Sequence, residues 1–192
     1  DVVRSQTNFA IYDGYEWIGT LKVLESGKGY KYKSSSSDSR TFTYPSVDVN
    51  KQASIRVNAT PRDTHFKPID NAAFPNNMAI LAKVYNGEEL VMDAEVAAFV
   101  GGECRTTVFA DENGYVCLTI PGEGQGDVIT LKVKVGENIY DVDQTIIYKD
   151  DDIVGSISEP YRIQIGENTA LDNGVITSVT IYTKDGQLYI EG

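Results

Sequence analysis

The chain has 192 residues, with 28 acidic against 17 basic and a formal net charge of -11. That balance repels nucleic acid and anionic membrane surfaces, and no apolar run of about 18 residues exists to cross a bilayer as a helix. The length suffices for one large domain or two small ones.

The chain opens DVVRSQTNFA without an initiator Met, so removal of a signal peptide, a tag or a whole upstream region is expected. Asp13-Gly14 predicts a hairpin turn between a strand holding Phe9 and Ile11 and a second holding Trp17 and Leu21. The Gly27-Lys28-Gly29 turn then delivers Tyr30 and Tyr32 into a third strand. Ser34 to Ser39 reads as a polar loop tip, and Phe42 and Tyr44 as a strand ending at Pro45. Ser54 to Ala59 alternates as a strand, after which Pro61, Pro68 and Pro75 mark a connecting loop or an edge, because proline cannot donate to a ladder.

From Asn77 to Ile165 short strands alternate with tight turns. The clearest is Val128 to Val135, where Ile129, Leu131, Val133 and Val135 alternate with Thr130, Lys132 and Lys134, a period of two that buries one face. Asn86-Gly87 and Asn113-Gly114 supply the pairs that tight hairpin loops require. Val175 to Glu191 reads as a hairpin turning at Lys184-Asp185-Gly186, with Val179, Ile181, Leu188 and Ile190 on its alternating positions. Such a hairpin is marginal alone and needs a neighbour. Helix is expected only as single turns, such as Glu88 to Asp93. The fold class is therefore all-β: an Ig-like antiparallel β-sandwich over 50–166, preceded by an incomplete β module over 1–49 and followed by a C-terminal hairpin over 167–192. An incomplete module exposes strand edges, so it is expected either to pack on the sandwich or to pair between chains.

If FADENGY closes a tight hairpin between Glu112 and Asn113, Val108 faces Cys117 and Cys104 lies about 13 Å further along, beyond the roughly 7 Å limit for a disulfide. Two buried free thiols are expected, although a bulged or longer loop would permit the bridge.

Catalytic signatures are sparse. His65 is the sole histidine, so any dyad or triad has one candidate base. Gly122, Gly124 and Gly126 lie between two strands and open no helix, which makes them a turn and not a nucleotide loop. Two cysteines and one distant histidine do not make a zinc site. Asp150, Asp151 and Asp152, with Asp141 and Asp143 one strand earlier, form the densest acidic cluster and are the weak candidates for calcium. They lack the spacing that wraps an ion, and read first as a solvated turn or a guard on a strand edge. Tyr12, Tyr15, Trp17, Tyr30, Tyr32 and Tyr44 crowd the first 45 residues. Exposed, they would stack on sugar rings or dock a partner; buried, they would form the small core of the N-terminal piece. Tyr15, Trp17 and Tyr30 are the candidate ligand-binding residues.

Three stretches carry a resemblance. WIGTLKVLESGKGYKYKS, through Trp17, Gly19, Leu21, Leu24, Gly27, Lys28, Gly29 and Tyr30, resembles a module of secreted and surface proteins of Bacteroidetes, with Ser26 where proline is usual. FPNNMAILAKV, EVAAFVGGECR and DDIVGSISEPYRI resemble the Ig-like module that follows it. GVITSVTIYTKDGQLYIEG resembles the opening strands of the sorting domain used in type IX secretion. The resemblance implies export, a secreted or outer-surface location and a fragment of a multi-module protein; it carries across no catalytic residue and no cofactor. The expected function is non-enzymatic: adhesion, spacing or presentation of other modules, with an unidentified protein or glycan as surface partner. The alternatives are a carbohydrate-binding module built on the aromatics and an accessory domain of a secreted hydrolase.

Overall fold

The computed structural model describes residues 1–37, 62–70 and 74–166, together with the backbone of 180–184 and 187–191. The strands expected through Phe42 and Tyr44 and over Ser54 to Ala59 lie outside the described residues, as do the side chains of the terminal hairpin and its turn. Every regular element among the described residues is a strand.

Four short strands form the N-terminal sheet: β1 (Val2–Arg4), β2 (Phe9–Tyr12), β3 (Trp17–Gly19) and β4 (Lys31–Lys33). Their order is β3-β2-β1-β4, all antiparallel. Strand β1 is absent from the sequence reading, and the third expected strand begins one residue after Tyr30. Alternation gives this sheet two unlike faces. Phe9, Ile11 and Ile18 turn inward and pack on Ala79, Leu81 and Cys117, so the N-terminal piece is seated on the following sheet through one apolar cluster.

That following sheet is centred on β5 (Asn76–Asn86). Along one side β5 pairs antiparallel with β6 (Glu89–Leu90) and β9 (Tyr115–Gly122). Along the other it pairs parallel with β12 (Ile153–Val154) and β13 (Tyr161–Ile165), because the register leaves no other side free. The sandwich is thus antiparallel except where its last strands meet its first. Between β12 and β13 the chain loops out over 155–160 while β5 advances by one residue, Leu81. Gly155 makes that departure with φ 82 and lies so close to the Leu81 carbonyl that a Cβ would stand 2.2 Å from the oxygen.

The opposing sheet has the order β11-β10-β7-β8, comprising β7 (Ala94–Val100), β8 (Glu103–Phe109), β10 (Val128–Val135) and β11 (Asn138–Ile147). Gly101 and Gly102, both at positive φ, close a two-residue hairpin between β7 and β8, so EVAAFVGGECR forms a hairpin. The inner faces meet in one core: Met78, Ile80, Ala82 and Val84 from β5, Val116, Leu118 and Ile120 from β9, and Val96, Ile129, Leu131 and Val133 from the facing sheet. β14 (Thr180–Lys184) and β15 (Gln187–Glu191) form the expected terminal hairpin in backbone register.

Two expectations are corrected. Glu88 to Asp93 is no helical turn: Glu89 and Leu90 return along β5 as β6. The segment after β8 closes no hairpin either, because β8 pairs with β7 while β9 pairs with β5. Asp111 folds that connection, its carboxylate accepting the Asn113 and Tyr115 amides at 2.9 and 2.8 Å, and the chain crosses from one sheet to the other. Cys104 and Cys117 are both free and buried, one in each sheet.

Candidate functional site

The tip between β2 and β3 is preorganised by Asp13. Its carboxylate accepts the Tyr15 amide at 2.7 Å and the Glu16 amide at 2.8 Å, and these bonds, Glu16 first, hold the Asp13 carboxyl below its ordinary value. Asp13 N–H donates to the Glu16 carbonyl at 3.2 Å and closes the turn. Tyr15 projects from it, 94% exposed. Trp17 opens β3 opposite Tyr12, with ring centroids 5.2 Å apart and planes tilted by 36°. Tyr12 is fixed in turn by its hydroxyl, which donates to the Gly14 carbonyl at 2.7 Å. Trp17 remains 45% exposed and Tyr32 52%, so the buried centre of the N-terminal sheet is Phe9 and Ala10 and not the crowd of aromatics.

Tyr30 does not join this tip. Strand order places β3 and β4 on opposite edges, and the register places Trp17 at the Tyr12 end of the sheet while Lys31, next to Tyr30, sits opposite Arg4 at the other end. Tyr30 is half-buried, its hydroxyl accepting the Glu25 amide at 2.7 Å. It lines an open groove of about 590 Å³ with Ser5, Asn8, Thr20, Lys22 and Lys28. The three aromatic candidates therefore divide into a Tyr15–Trp17 tip and a separate polar groove.

The acidic cluster is a joint between layers. Lys31 Nζ donates to both Asp151 carboxylate oxygens at 2.8 Å, and buried Arg4 stands 3.6 Å from the same group. Asp151 holds this position with φ 60, anchored by its own amide donating to the Asn77 carbonyl at 2.9 Å. Asp150 accepts from Asn76 at 3.2 Å, and Asp152 from the Ile153 amide at 2.9 Å. Asn77 Nδ2 donates to the Ser5 and Gln6 carbonyls and ties the same two layers. Among the described residues no three His, Cys, Asp or Glu side chains converge as a metal site. Beside Asp150, Tyr148 is buried, and burial first, then that carboxylate, pushes its phenol well above the ordinary value.

Two groups outside the sequence reading matter as much. Glu95 is buried within β7 and accepts the His65 and Phe66 amides at 3.0 Å each and the Thr107 hydroxyl at 3.1 Å. It fastens residues 62–70 as a strap over β7 and β8, with Phe66 packed on Ala97 and Cys104. A lone acid inside the apolar run AEVAAFV was the available signal, since a buried carboxylate requires donors. Gln144 is the other. The β10–β11 register skips Asp143 and Gln144. From that bulge the Gln144 amide donates to the Arg162 carbonyl at 3.0 Å and accepts the Gln164 amide at 2.8 Å, closing the sandwich edge along β13. Set beside known proteins, the chain matches no family model and no curated protein.

Proposed function

We propose that this chain is a non-enzymatic part of a secreted or cell-surface protein, in which it holds neighbouring modules at a set spacing. The observation that carries this reading is the seam between the N-terminal sheet and the sandwich. Phe9 is fully buried against Ala79, Leu81 and Cys117, and the Arg4–Asp151–Lys31 cluster closes the seam's edge. A seam with an apolar centre and a polar rim resists independent movement of the two layers, which is what a spacer requires. The motif resemblance, with its implied export, points the same way. The test is a pair of fluorophores on Glu16→Cys and Glu137→Cys, one in each layer, with the buried native thiols left unlabelled. One narrow transfer efficiency is expected, and a broad distribution refutes the reading.

A second reading has its own observation. Tyr15 and Trp17 are exposed on a turn already braced by Asp13, so a carbohydrate ring would meet an aromatic surface with little ordering cost. Trp17 is the sole tryptophan, so its fluorescence reports on this tip alone. Quenching across a glycan panel that is lost in Tyr15→Ala supports binding there; an unchanged spectrum across the panel removes it.

A further inference from the structure

We propose that the parallel pairing of β5 with β12 and β13 is a mechanical clamp that lets the sandwich carry tension along the chain. The inference rests on the spacer reading and deepens it, because modules held apart on a surface are pulled through their connections. β5 begins the sandwich and β13 ends it, and they lie side by side in the same direction. Tension from the N-terminal side draws β5 back toward Asn76, while tension from the C-terminal side draws β13 onward past Ile165. The two strands are thus pulled in opposite directions along their common axis. The bonds of a parallel ladder lie across that axis and are loaded together, so none can break first and leave the rest to follow. Had the first and last strands paired antiparallel, the same load would peel them bond by bond.

The clamp has two sections. Tyr161 to Ile165 register with Ala82 to Asn86, and Ile153 and Val154 with Ala79 and Ile80, extended by the Ala79 amide donating to the Asp152 carbonyl at 2.9 Å. Side chains reinforce β13 from both flanks. On the outside, Gln144 occupies the Arg162 carbonyl and the Gln164 amide, the polar groups that face away from β5. Toward β5, the Arg162 guanidinium lies 3.9 Å over the Tyr85 ring, bonds the Gly87 carbonyl and pairs with Glu88 at 3.2 Å. Ile163 and Ile165 are anchored in the core between these contacts. Forced unfolding is governed by the unfolding barrier and not by equilibrium stability, so this geometry acts on the quantity that matters under load.

The experiment pulls the full chain in a single-molecule instrument in two directions. Handles at the two chain ends load the clamp in shear. A handle on Asn86→Cys, the exposed last residue of β5, combined with the C-terminal handle pulls on adjacent ends of β5 and β13 and peels them. The end-to-end geometry should require several-fold more force. Its strongest event should release about 300 Å, the extended length of the roughly 90 residues from Asn76 to Ile165. Gln144→Ala should lower the shear force, because β13 then slides without its outer brace. Equal forces in the two directions, or a strongest event of a different length, overturn the clamp. Two layers that move independently in the fluorophore experiment, combined with a high shear force, would refute the spacer reading and leave the clamp standing.

Discussion

Substituting Glu95 by glutamine should unfasten the strap over β7 and β8 without unfolding the sandwich. Oε1 accepts from both Phe66 N–H and Thr107 Oγ1, whereas Oε2 accepts from His65 N–H. In the Glu95→Gln variant the amide oxygen can serve the first pair, but the NH₂ group then faces the His65 N–H, donor against donor. At least one charge-assisted bond is lost, about 1.5–3 kcal/mol, which raises the open population roughly 10- to 150-fold. Cys104 reports the opening, since it is buried beneath Phe66 and its backbone carbonyl accepts the Ile69 amide at 3.0 Å. Cys117 is an internal control, buried in the other sheet under Phe9. Timed labelling with a thiol reagent under native conditions, resolved by peptide mass, should show Cys104 accelerating by that factor while Cys117 does not change. Equal acceleration of both thiols would mean global unfolding, and no change at Cys104 would mean that the strap does not depend on Glu95; either result refutes the reasoning.

Alkaline conditions should weaken the fold through Cys117, whose thiol is pushed from 9.0 up to about 12, chiefly by burial. The folded pKa exceeds the unfolded one, so this contribution is complete below pH 9 and is lost toward pH 12, at about 1.4 kcal/mol per pH unit. Urea midpoints from pH 8 upward should therefore fall less steeply in Cys117→Ala, and parallel curves would contradict this. Asp151→Asn strands the buried Arg4 without a counter-charge, at a cost of about 1–3 kcal/mol, moderated because Asp151 is half exposed. Adding Arg4→Met should recover most of that loss in chemical denaturation, and a purely additive double variant would argue against the joint. Gly155→Ala should be far more damaging than Gly87→Ala in thermal melts. Both sit at positive φ, worth about 1–2 kcal/mol, but only at Gly155 does the new Cβ strike backbone. Similar melting losses would show that the Leu81 carbonyl can yield.

What the sequence determined were features set by neighbours along the chain. Period two in VITLKVKV marked β10 from Val128 to Val135, because its outer face is wet and its inner face meets the core. Asp13-Gly14 and Asn86-Gly87 marked reversals, because turn geometry is local. Tertiary structure decided which strands are covered on both faces and which partners they take. NMAILAKV and YVCLTIPG do not alternate because Phe9 and its sheet cover the outside of β5 and β9, and AEVAAFV is interrupted by Glu95 because a distant strap supplies its donors. Asn113-Gly114 reads as a hairpin in sequence because a tight turn looks the same whether the chain returns to the strand it left or crosses to the opposite sheet. Tyr30 and Trp17 lie close in sequence yet at opposite corners of a sheet, since strand order is settled by which edges remain open. The parallel seam of β5 and β13 joins residues about 80 apart, and the core that holds it forms only when both sheets close over it.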